Sequence, residues 1–274
     1  MIRRTILGGL AALSGAFRAR AQPAESPPPR LSDADPAAYQ DLVDRTHAAL
    51  DRHWTSVGDV EGDVIGEMIP SALMGGVAWP AALKAYRVIR RPGSIILATH
   101  GLAEPYDETG EDVPGNGLGL ELFIETADIP AELAGSPGDI GRIKESWAFE
   151  LLEHLADVVA GDDGIRDYLD RNGAISTEVP GVAGSRSIKA QVSRRFVTRD
   201  DSVGLVIGRP APDFAQMVQN TPQRPVLLAP IVLLTAAELE AVRDGGRETR
   251  ARIIDALSKR PHGWRSDLQR KSEV

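Results

Sequence analysis

The chain contains no cysteine. That excludes disulfide scaffolds, thiolate zinc sites, iron–sulfur clusters, cysteine nucleophiles and lipidated cysteines. Aromatic residues are scarce, at 5%, so a core has to be assembled from Leu, Val, Ile and Ala. Basic charge is also short: 31 Lys and Arg face 39 Asp and Glu, a formal charge of −8. A nucleic-acid-binding surface needs clustered Lys and Arg, and this balance argues against one. No apolar run reaches the roughly 20 residues of a membrane-spanning helix, so no integral membrane segment is expected. What the chain does have is length. Its 274 residues, 42% of them hydrophobic, suffice for one large domain with a buried core.

Residues 1–21 differ from the rest. Arg3 and Arg4 precede an apolar run from Ile6 to Phe17, and Ala19-Arg20-Ala21 offers a small-x-small cleavage pattern. The paired arginines suit a twin-arginine export signal; an unstructured leader or an early start codon fits the same residues. A cleaved signal implies an exported or periplasmic protein, its absence a cytoplasmic one. Residues 22–34 begin as a Pro-rich linker, Gln22-Pro-Ala-Glu-Ser-Pro-Pro-Pro. The folded domain is expected over 35–257, followed by a loose polar tail over 258–274.

Asp35-Pro36 reads as an N-cap with proline in the first turn, and Tyr39, Leu42, Val43, Thr46, Leu50 and Trp54 recur at helical spacing. A helix is expected near 36–53, with irregular structure over 55–82. Tyr86–Ile89 and Ser94–Thr99 flank the turn Arg90-Arg91-Pro92-Gly93 and predict a hairpin. Leu118–Thr126 alternates: Leu118, Leu120, Leu122 and Ile124 share one face, Glu121, Phe123 and Glu125 the other. Trp147, Leu151, Leu155 and Val158 predict a helix near 142–160, and a second over 162–171 ends at Asn172-Gly173. Further strands are expected at 175–179, 192–197, 203–208 and 226–234. Thr235-Ala-Ala-Glu238 is a capping box opening a last helix that Gly245-Gly246 interrupts. The irregular mixture predicts an α+β fold, a mixed, mainly antiparallel sheet packed with helices.

No catalytic constellation emerges. His47, His53, His100, His154 and His262 form no metal-ligand pattern with carboxylates. There is no Gly-x-Ser-x-Gly elbow and no phosphate-binding loop. Gly115-Asn-Gly117-Leu-Gly119 leads into a strand rather than out of one, the wrong context for a dinucleotide turn. Neither a cofactor nor a metal is expected. Glu104, Asp107, Glu108, Glu111 and Asp112 make an acidic loop around Tyr106. It reads as a solvated loop, a partner-binding surface with an aromatic anchor, or a calcium site whose spacing matches no EF-hand.

Two segments together resemble the signature of the suppressor-of-fused family: Gly101-Leu-Ala-Glu-Pro-Tyr-Asp107, and Pro114-Gly-Asn-Gly-Leu-Gly-Leu-Glu-Leu-Phe-Ile-Glu125. Gly161-Asp-Asp-Gly-Ile-Arg-Asp, Leu205-Val-Ile-Gly-Arg-Pro-Ala-Pro and Ile231-Val-Leu-Leu-Thr-Ala-Ala-Glu-Leu-Glu are similar to stretches of bacterial members. The resemblance spans roughly 38–245, and its motifs are specific only as an ordered set. It departs from the family at Ala103 and Glu104. The resemblance implies a non-enzymatic module that binds a protein or peptide. Animal members sequester zinc-finger transcription factors, and related bacterial domains are proposed to be immunity proteins against toxins. It implies partner-binding roles for Glu104, Tyr106, Asp107, Glu111 and Asp112, and structural roles for Gly101, Gly115, Gly117, Gly119 and Glu121. The chain is short for the two-domain clamp of animal members. An exported hydrolase using the carboxylate cluster is the alternative.

Overall fold

The computed structural model describes residues 30–69, 73, 75–106, 116–162 and 164–274. Nine strands form one open sheet: β1 (Asp59–Val60), β2 (Ile65–Gly66), β3 (Ala85–Arg91), β4 (Ser94–His100), β5 (Leu120–Thr126), β6 (Ala174–Pro180), β7 (Ser202–Gly208), β8 (Met217–Val218) and β9 (Val226–Leu234). The order is β1-β3-β4-β5-β9-β7-β6, with β2 beside β3 and β8 beside β9. Every pairing is antiparallel except β5 with β9. The helices are α1 (Leu31–Ala34), α2 (Pro36–Val57), α3 (Ala131–Ala134), α4 (Trp147–Ala160), α5 (Ile165–Asn172), α6 (Arg186–Gln191) and α7 (Ala236–Ser258). The fold is α+β, as expected. Among the described residues no helix is long and apolar enough to cross a membrane.

Strand alternation divides the core into two layers. Val88, Leu97, Leu122, Ile124, Leu205 and Leu233 point to the side covered by α4, α5 and α6. Ile89, Ile96, Phe123 and Leu228 point to the opposite side and pack on Leu50 and Trp54 of α2. Val206, Val232 and Leu234 continue that second side beneath Ile253 and Leu257 of α7. The period-2 pattern of the strands is therefore real, but all seven residues of β5 are buried.

The predicted helix starts hold. Asp35 accepts from Ala38 N (3.0 Å), and the capping box at Thr235 and Glu238 closes in both directions. Gly173 takes the left-handed conformation that ends α5, and Gly246 kinks α7.

Three expectations fail. The stretch 55–82 is not wholly irregular: α2 runs on to Val57, and β1 and β2 pair with the free edge of β3. Residues 192–197 are not a strand: α6 precedes them and a short 3-10 turn spans Arg194–Phe196. Ser185 and Ser193 accept from Ile188 N and Arg195 N, and these local caps set helical turns where a strand was expected. The tail is not loose. Trp264, Ser266, Leu268 and Arg270 are buried. β9 pairs with β5 only at Leu227–Pro230, then turns to β7 at Ile231–Leu234. Pro230 has no N–H to continue the ladder. Ser266 fills the resulting gap. Its N–H donates to Glu125 O (2.9 Å), and its hydroxyl donates to Ile231 O and accepts from Leu233 N (both 3.0 Å). The folded domain thus extends through the tail.

Candidate functional site

The acidic loop leaves the sheet between β4 and β5. Asp107, Glu111, Asp112 and Gly115 lie outside the described residues, whereas both stems of the loop are visible. Glu121 organises the first stem. Its carboxylate is fully buried and accepts from Gly101 N (2.9 Å), Ala103 N (3.0 Å) and the Thr99 hydroxyl. Burial pushes its pKa up, and the hydrogen bonds from Thr99 and the two amides pull against that shift. The structural role expected of Glu121 is thus a backbone clamp where β4 bends away.

The second stem is held as tightly. Leu118 N donates to Leu102 O (2.8 Å) and Gly119 N to Asn116 O (2.7 Å), while buried Asn116 donates to Arg224 O (2.5 Å). Gly117 has φ +46°, and a β-carbon there would collide with the carbonyls of Leu102 and Glu104. Gly101, at φ +132°, would press one into Ala81. Both glycines are required where the stems cross. The Arg166 guanidinium donates to Gly119 O.

Glu104 does not project into solvent. Its carboxylate meets His47 Nε2 of α2 at 3.0 Å. The His47 ring lies against His100, centroids 4.4 Å apart. Burial, followed by the nearby charges of His47 and Arg87, lowers the His100 pKa to about 3, so His100 is neutral at ordinary pH. Arg87 in turn meets Asp51 at 2.8 Å. Tyr106, half-buried, ends the described part of the first stem. Neither edge of β5 is open to an added strand: β4 and the Thr99 hydroxyl cover one side, β9 and Ser266 the other.

Sequence reasoning missed a second buried carboxylate as an organising centre. Glu125 meets Arg91 Nη1 (3.0 Å), Ser94 Oγ (2.7 Å), Trp264 Nε1 (2.6 Å) and Arg265 Nε (2.8 Å). Two glutamates on one face of an apolar strand were the available signal, because buried acids demand partners. The His47–Glu104 contact, 57 residues apart in the chain, left no such trace.

Among the described residues no group of three or more His, Asp or Glu is arranged to hold a metal. A cavity of about 330 Å³ beside the tail includes Asp128 and Asp267. Asp128 accepts from Leu268 N and Asp267 from Gln269 N (both 2.7 Å), and these bonds shape the tail's turns. In comparisons with family models, curated proteins and solved structures, nothing matches the chain.

Proposed function

We propose that the protein is a non-enzymatic binding module of suppressor-of-fused type that recognises a protein or peptide through the loop between β4 and β5. One observation carries this reading: both loop stems are fixed by buried bonds to Glu121 and Asn116. A segment carrying Tyr106, Asp107, Glu111 and Asp112 is therefore presented from a rigid base, the arrangement that lowers the ordering cost of binding. Tyr106 supplies an aromatic anchor, and the carboxylates select a basic or polar partner. A sequestering adaptor and an immunity-type protein both fit this chemistry. The hydrolase alternative is weaker, because the described buried acids Glu121, Glu125 and Glu238 are each occupied by internal donors.

The test is cross-linking mass spectrometry with a photoreactive residue in place of Glu108, in cells that naturally make the protein. The expected result is a defined protein cross-linked at position 108, and lost when Tyr106→Ala and Asp112→Ala are added to the same photoreactive chain. Undiminished capture by the double variant overturns the site. Turnover of ester, glycoside or peptide substrates by the purified wild type overturns the class.

A further inference from the structure

A second surface lies away from that loop. Val64 and Val274 aside, the large apolar side chains exposed among the described residues fall in one stretch of chain, Met68, Ile69, Leu73, Val77 and Leu83, and at Val158 of α4. Met68 is 95% and Leu73 76% exposed. The backbone brings this region together. Glu67 N donates to Lys84 O (3.0 Å) beside the β2–β3 pair, and Val77 lies near Gly161 at the end of α4. Such clustering marks an interaction surface, whereas scattered apolar residues do not.

Its polar floor is acidic. Glu67, Glu153 and Asp157 face one ammonium, Lys84, whose Nζ is 2.7 Å from Asp157 and 3.8 Å from Glu67. Asp157 also accepts from Trp79 Nε1 (3.2 Å). Burial raises the Glu153 pKa, and Asp157, Glu67 and Glu150 add to the shift against the pull of Lys84. Negative charge is in excess there. Beneath it the Tyr86 hydroxyl, on a side chain 2% exposed, lies in the field of Glu153, Asp157 and Glu67 and has no hydrogen-bond partner among the described residues.

We propose that this face docks a cationic amphipathic segment of a partner protein, its apolar side on Met68, Ile69, Leu73 and Val158 and its basic residues over Glu67, Glu153 and Asp157. Charge complementarity selects that occupant. The acidic floor repels an anionic lipid surface and matches Lys or Arg set beside apolar residues. This surface goes beyond the loop reading and does not depend on it.

The experiment titrates the full chain with a fluorescent Leu/Lys peptide patterned as an amphipathic helix. Its Leu/Glu counterpart and anionic phosphatidylglycerol vesicles serve as competing probes. The Leu/Lys peptide is expected to bind, and added salt to weaken it. Met68→Ser with Leu73→Ser, both well exposed and so neutral to folding, is expected to weaken binding about tenfold. Glu67→Gln with Glu153→Gln is expected to weaken it severalfold at low salt. Tyr106→Ala with Asp112→Ala is expected to leave it unchanged. Equal binding of the Leu/Glu peptide, indifference to both surface variants, loss of binding in the loop variant, or binding to vesicles without binding to the peptide would each overturn the proposal.

Discussion

The two ends of β5 bury acids on the same face by opposite means. At the N-terminal end Glu121 has no cation against it among the described residues. Backbone amides and a hydroxyl hold it, and its neighbour His100 is kept neutral by burial. At the C-terminal end Glu125 is enclosed by two arginines, an indole and a serine. Close by, Glu238 is bound by Arg270 and by the Thr235 and Glu273 amides. Neutral groups leave one end sensitive to protons; ion pairs lock the other. The proton-sensitive end is the root of the loop between β4 and β5, and the locked end is where the tail completes the sheet.

The most severe way to break this contrast is to end the chain at Ser258. Glu238 then loses Arg270, and Glu125 keeps only Arg91 and Ser94. A buried acid stripped of its cation costs about 3–5 kcal/mol, against a total stability of about 5–15 kcal/mol. Urea titration of the truncated chain should show no cooperative transition.

Smaller effects sharpen the other side of the comparison. An unfolded chain protonates His100 below its ordinary 6.5, whereas the fold resists until about 3. Its contribution is therefore complete above pH 6.5 and is lost on acidification toward 3, by at most about 1.4 kcal/mol per pH unit. Glu121 runs the other way. Its raised pKa makes its contribution complete below 4.5 and lost as the pH climbs through the folded value. Urea midpoints measured across pH should lose the first slope in His100→Gln and the second in Glu121→Gln. The mildest variant, His47→Ala, removes the partly buried contact to Glu104. It should cost about 0.5–1 kcal/mol in thermal unfolding.

What was legible in the sequence follows from the range of the forces involved. The Asp35 and Thr235 caps, the hairpin about Gly93 and the alternation of Leu120–Thr126 are local patterns, and each element appears. The run at 192–197 misled because Ser185 and Ser193 cap helical turns that β-propensity does not register. The tail misled for a different reason. Arg265, Ser266 and Arg270 look like solvated residues until the acids and carbonyls they meet, some 32 to 141 positions away, are known. At the loop, the structural parts of Glu121, Gly101 and Gly117 were legible from the resemblance, whereas Gly115 lies outside the described residues. The pairing of Glu104 with His47 was not, since it depends on how α2 crosses the sheet.

The tail's insertion between β5 and β9 also orders events during synthesis. A ribosome releases Trp264 and Arg270 only after every strand they brace has emerged. Until then Glu125 lacks the Trp264 indole donor and the Arg265 cation, and the sheet stays open along β9. Contacts spanning 139 and 140 positions must form last, and such distant closures are slow. Closure of the sheet along β9 therefore follows emergence of the tail, and the growing chain carries that seam open until then.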